Sequence, residues 1–97
     1  MTRVINIRHG GHYDVYIGRP SRYGNPYLVG RDGSREMILD RYRDWLNRRQ
    51  DREAFLLMVQ QTLHDKVLGC FCKPLACHGD ILAAIANSLD LLGVTTL

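Results

Sequence analysis

Between Leu68 and Leu82 the chain reads Leu68-Gly69-Cys70-Phe71-Cys72-Lys73-Pro74-Leu75-Ala76-Cys77-His78-Gly79-Asp80-Ile81-Leu82, and all three cysteines of its 97 residues fall inside this stretch. Thiols, an imidazole and a carboxylate so close together support three kinds of chemistry. The first is metal binding. Cys70, Cys72, Cys77 and His78 make a Cys₃His donor set, enough to close a zinc tetrahedron, although C-x-C followed by adjacent Cys-His departs from the C-x₂₋₄-C pairs of ordinary zinc modules. The second is a thiol-bearing ligand pocket. In it Cys72 or Cys77 works beside His78, Asp80 orients the imidazole, and Gly79 lets a phosphate or carboxylate approach a helix N-terminus that also favours a thiolate. The third is packing: free cysteine is among the most buried residue types, and His78 could simply cap the helix. The residue types alone leave all three open.

Such side chains need a strand, a loop and a helix start to hold them. Val67 to Cys72 reads as a strand, on which Cys70 and Cys72 share one face and Phe71 takes the other. Pro74 interrupts it. The last helix reads from about Gly79 to Leu92, with Ile81, Leu82, Ile85, Leu89 and Leu92 toward the core and Gly93 ending it.

Upstream, Arg3 to Arg8 is a β-branched run that reads as a strand, and His9-Gly10-Gly11-His12 reads as a turn. Tyr13 to Gly18 reads as a second strand. The pattern predicts an antiparallel pair across the glycine turn, with a parallel arrangement as the alternative. Gly18 to Tyr27 holds too many turn formers to be regular, yet it carries Arg19, Ser21, Arg22, Tyr23 and Asn25, side chains that recognise anions and polar groups. Arg19, Tyr23 and Asn25, with Gly79, are the candidate ligand-binding residues.

Tyr27 to Gly30 is a short apolar run, read as a third strand or an edge segment. Asp32 or Ser34 can cap an amphipathic helix from Arg35 to about Arg49, built on Ile38, Tyr42, Trp45 and Leu46. Asp51 can cap a second, Arg52 to about Asp65, packed through Phe55, Leu56, Val59 and Leu63. The two form a helical hairpin.

The composition places this scaffold among soluble globular chains, with 45% hydrophobic and 24% charged residues. No apolar run reaches membrane-spanning length, and Met1-Thr2-Arg3-Val4 has no signal-peptide character, so the expected address is the cytoplasm. An odd number of cysteines rules out a complete disulfide framework. The net charge of +3 is mild, and the arginines of the hairpin alternate with acids, as on a solvated face. Arg48, Arg49 and Arg52 form the one cluster there suited to a phosphate backbone. The expected architecture is a single compact domain over residues 1–97, α/β with α+β as the alternative. It has a small mixed sheet of three or four strands packed against three helices.

Taken together, Val15-Tyr16-Ile17-Gly18-Arg19, Tyr23-Gly24-Asn25-Pro26-Tyr27, Asp32-Gly33-Ser34-Arg35-Glu36 and the Cys70 to Asp80 signature resemble the family catalogued as domain of unknown function 4326, found in bacteria and many bacteriophages. The resemblance runs from about Val4 to Leu82. It implies that Ile17-Gly18-Arg19, Gly24-Asn25-Pro26 and Cys77-His78-Gly79-Asp80 belong to one composite site. It also implies a phage-type protein, a setting in which nucleotide metabolism, nucleic-acid modification and interference with host proteins are common. That is analogy and not mechanism.

The functional expectation is a small cytoplasmic domain that binds a phosphorylated or nucleotide-like ligand. Arg19 and the helix N-terminus hold the anion, Asn25 adds polar specificity, and Cys72 or Cys77 with His78 and Asp80 supplies the chemistry, zinc being the alternative use of the cysteines. Whether it is an enzyme stays open. The competing expectation is a non-enzymatic module, zinc-stabilised or not, that binds a host protein or nucleic acid through the arginine-rich hairpin.

Overall fold

A computed structural model of the chain describes residues 1–88. Three strands, β1 (Arg3–Asn6), β2 (Val15–Tyr16) and β3 (Val67–Cys70), and three helices, α1 (Arg35–Asn47), α2 (Arg52–Leu63) and α3 (His78–Ala86), make an α/β fold. The expected class and the number of elements agree with this. The part of the last helix expected beyond residue 88, with Leu89, Leu92 and Gly93, lies outside the described residues.

The sheet corrects one expectation. It is not mixed, and β1 and β2 are not a hairpin: the order is β1-β3-β2, with both outer strands parallel to β3. The physical reason lies in β3, whose Leu68, Gly69 and Cys70 are all buried. A strand hidden on both sides belongs in the centre, and parallel neighbours are joined by crossovers, not tight turns. The connection from β1 to β2 therefore passes over β3. At the crossing there is room only for glycine, since a Cβ on Gly69 would meet Ile7 Cγ1 and Tyr13 Cγ at 2.9 Å. The helical hairpin supplies the second crossover, from β2 to β3.

Other boundaries are shorter than the apolar pattern suggests. The first strand gives way after Asn6 to a 3₁₀ turn at Ile7–His9, because the Asn6 side chain accepts from the Arg8 N–H at 2.9 Å. Tyr27 to Gly30 is not a strand. Its backbone is tied locally by Asn25 Oδ1 to Tyr27 N and by Asp32 Oδ2 to Leu28 N, at 2.9 and 2.8 Å.

The helices follow their 3.6-residue pattern. Ser34 caps α1 by accepting from Met37 N, and Ile38, Tyr42 and Leu46 are buried along one stripe. Phe55, Leu56, Val59 and Leu63 of α2, with Ile81, Leu82 and Ile85 of α3, close the core over Leu68 and Cys70. Gly79 makes the contact between α3 and the sheet possible: a Cβ there would lie 2.6 Å from Ile17 Cδ1 and 3.0 Å from Val4 Cγ2. No helix among the described residues is long and apolar enough to cross a membrane.

Candidate functional site

Because the three strands are parallel, their carboxyl ends lie on one edge of the sheet. The segments leaving them, from Ile7, Ile17 and Phe71 onward, emerge together beside the start of α3. In open parallel sheets this edge is where ligands bind. Here it carries a cleft of about 560 Å³, lined on one side by Gly18, Arg19 and Asn25 and on the other by Cys70, Phe71, Cys72, Cys77 and His78. Tyr16, Tyr27, Leu28, Val29 and the first two turns of α1, through Arg35, Ile38 and Leu39, complete it. The two polar loops singled out in the sequence thus meet at one cavity.

The cysteines converge, by a route different from the expected one. The strand ends at Cys70, so Cys72 sits in the following turn and does not share a strand face with it. Asn6 holds that turn in place by donating from Nδ2 to the carbonyls of Phe71 and Lys73, at 3.3 and 2.7 Å. All three Sγ atoms lie within 4.8 Å of one another, with Cys70 and Cys77 only 3.2 Å apart. Cys70 and Cys77 are buried, and Cys72 is the half-buried member that faces the cleft. None is in a disulfide.

His78 joins them through one ring nitrogen. Its Nε2 lies 2.8 Å from the Ile17 carbonyl oxygen, and a carbonyl can only accept, so Nε2 carries the proton. In the neutral ring this leaves the Nδ1 lone pair available, and Nδ1 is 3.5 Å from Cys77 Sγ. The ring is fixed further by Tyr42, edge-on with centroids 5.4 Å apart. A histidine held by a backbone carbonyl at one nitrogen and presenting the other to soft ligands is the arrangement seen around metal sites.

The expectation that Asp80 orients this imidazole is therefore corrected: Ile17 does so. Asp80 faces the other way, accepting from the Cys77 backbone N–H at 3.1 Å in a capping box and pairing with Lys73 Nζ at 2.5 Å.

Electrostatics separate the three thiols. Cys72 is held well below the ordinary thiol range, first by the hydrogen bond from Cys70, then by Cys77 and His78, with Arg35 adding to them. Cys77 is raised, because it donates toward Cys70 and Cys72 and is buried. Cys70 is raised as well, first through Cys72. The helix N-terminus was expected to favour a thiolate at Cys77. The Gly79 N–H does reach its sulfur at 3.3 Å, but the neighbouring sulfurs and burial outweigh it. Of the three, Cys72, the most accessible, is the thiol whose ionised form its surroundings favour.

The remaining candidates divide. Arg19 lines the cleft, is exposed and is in no ion pair among the described residues. Asn25 lines it too, but its side chain is engaged with Ile38 O and Tyr27 N and so shapes the wall. Tyr23 does not line it: the phenol is buried, with its hydroxyl 2.9 Å from Thr62 Oγ1. Nor does Gly79, whose missing side chain serves the contact with Ile17 and Val4.

Arg35 was missed by the sequence reading. It is the first residue of α1, donates to the Ala76 carbonyl at 3.2 Å and lies beside Cys72. Among acids on an amphipathic helix it looked like surface. The available signal was its place in the Asp32-Gly33-Ser34-Arg35-Glu36 segment of the family pattern.

The comparisons with known proteins agree with that pattern. The model of the family described as Domain of unknown function (DUF4326) matches residues 5–88. An "Uncharacterized 12.4 kDa protein in nrdA-td intergenic region" of Enterobacteria phage T4 is similar, 38% identical over 90 residues that cover 92% of this chain and 81% of the phage protein. No solved structure matches.

Proposed function

This chain belongs to the family described as domain of unknown function DUF4326, and we propose that it binds a phosphorylated, nucleotide-like ligand in a cleft floored by a zinc-type metal centre. One observation carries the reading: Cys70, Cys72, Cys77 and His78 meet at the floor of a cavity whose walls hold two arginines and no carboxylate. Arg19 and Arg35 suit a phosphate, Tyr16, Tyr27 and Phe71 suit a flat ring, and the volume lies in the range of small-molecule sites.

The donor set fits a soft divalent ion. Zinc bonded to sulfur at about 2.3 Å separates two thiolates by roughly 3.8 Å. Here Cys70 and Cys77 are 3.2 Å apart and all three sulfurs lie within 4.8 Å of one another, a grouping of that order. His78 Nδ1 is close to Cys77 but outside the group of mutually close sulfurs. Cys70, Cys72 and Cys77 would hold such an ion, with His78 Nδ1 the candidate fourth ligand. Cys72 is the thiol that a bound ligand would reach.

The alternative module, binding through the hairpin, has weaker support. Arg43, Arg48 and Arg49 are already paired with Asp40, Asp44 and Asp51.

Metal content, measured on protein purified without added metal or a histidine tag, tests the floor of the site. The expected result is one zinc per chain and thiols that react only after chelation. Cys72→Ser should weaken the metal by more than about 100-fold, the upper range for losing even an outer-shell partner. Titration with mononucleotides, followed by NMR, tests the walls, with shifts expected at Arg19 and Arg35. A metal-free protein with no nucleotide response would sink the reading.

A further inference from the structure

Unpaired positive charge continues beyond the walls of the cleft. Arg19 and Arg35 line it, while Arg8 and Arg22 do not, yet among the described residues none of the four is in an ion pair. The Arg8 guanidinium stands 5.0 Å from the centroid of the Phe71 ring. That ring lines the cleft and still leaves 47% of the residue's surface exposed. Tyr16 meets the same ring edge-on at 6.1 Å. Arg22 is exposed, three residues past Arg19 on the same loop. Asp80, at the start of α3, is taken by Lys73.

A free mononucleotide carries its phosphate at one place, and the two arginines inside the cleft suffice for it. Cations outside the walls, beside an exposed aromatic face, match a chain that continues out of the cavity. Such a chain places phosphates on guanidinium groups and a base against a ring.

We infer that the ligand is one unit of a single-stranded nucleic acid, with its base in the cleft and its phosphate on Arg19 and Arg35, the adjoining phosphodiesters on Arg8 and Arg22, and a neighbouring base against Phe71. A duplex fits poorly, because its bases stay stacked and paired while the cleft floor, at Cys70 and Cys77, is buried. The inference rests on the reading above, that the cleft takes a nucleotide-like ligand.

The test compares a labelled single-stranded oligonucleotide with the matching mononucleotides, by anisotropy and by NMR, at two salt concentrations. The oligonucleotide should bind more tightly. Its affinity should fall about 20-fold for a fourfold rise in salt, as expected for roughly three phosphate contacts on a single strand. Arg8→Ala and Arg22→Ala, both at exposed positions, should each flatten the salt slope by about 0.7 and leave mononucleotide binding unchanged. Circular dichroism identical to wild type would confirm that the variants fold. An oligonucleotide that binds no better than a mononucleotide, or variants that bind it as wild type does, would overturn the inference and leave the ligand reading standing. If neither probe binds, both fall.

Discussion

On the helical hairpin Arg43, Arg48 and Arg49 each face a carboxylate, those of Asp40, Asp44 and Asp51. Among the described residues, Arg8, Arg19, Arg22 and Arg35, around the carboxyl edge of the sheet, are in no ion pair. Arg49 also lies over the rings of Trp45 and Phe55, 5.0 and 4.2 Å from their centroids, which ties its planar group to the hairpin surface. Exposed pairs of this kind add little to stability, but they cancel the field an approaching anion would feel. A net charge of +3 spread over the chain says nothing of this difference. The lesson is that the density of arginines in the sequence does not tell which are paired: among the described residues Arg8, Arg19, Arg22 and Arg35 are in no ion pair, and Arg3, Arg41 and Lys66 elsewhere are not either.

The sharpest way to break this division is to damage the hairpin's interior. Leu56 is 1% exposed in the core beneath α2, so Leu56→Ala should cost about 2–5 kcal/mol in urea unfolding. The folded fraction should still carry its full metal stoichiometry. Loss of metal from folded Leu56→Ala protein would mean that the two regions are one unit.

A middle-sized effect is expected from exchanging one arginine for alanine in each region. Arg35→Ala should lower the affinity for an anionic ligand by about tenfold, the scale of one charge-assisted contact, with little change in melting temperature. Arg48→Ala should leave both measurements where they were. Equal losses from the two variants would return the hairpin to consideration as a binding surface.

The smallest effect concerns the opposite edge of the sheet, where Asp14 accepts from Val67 N at 2.8 Å and meets His12 Nε2 at 2.8 Å. The Val67 N–H, then His12, hold its carboxyl below the usual range. A carboxyl lowered by folding contributes stability that is present above its unfolded value and lost as pH falls through the folded one. Acid titration of unfolding should therefore show a shallower low-pH decline in Asp14→Asn, with ligand and metal binding at neutral pH unaltered.

Much of the helical part was legible beforehand, for a local reason. Apolar residues at 3.6 spacing and a Ser34 cap act within one or two turns, so Ile38, Tyr42 and Leu46, or Phe55, Leu56, Val59 and Leu63, announce their buried face without a partner. Strands carry no such record of their neighbours. A two-residue β2 beside a glycine turn reads as half of a hairpin, and only the burial of Leu68, Gly69 and Cys70 in the middle decided otherwise. By pattern alone Asp80 and Gly79 look like site groups. The fold uses them to cap α3 and to seat it on Ile17.

The sequence by itself determined where the reactive side chains are, because three cysteines, a histidine and a helix start within eleven residues have little room to separate. The tertiary structure alone decided what surrounds them. Parallel pairing carried the Gly18–Tyr27 loop to the same edge, the Ile17 carbonyl chose the protonated nitrogen of His78, and the start of α1 brought Arg35 to Cys72. Each of these contacts joins residues far apart in the chain, and such partners are set by packing, which no short stretch of sequence encodes.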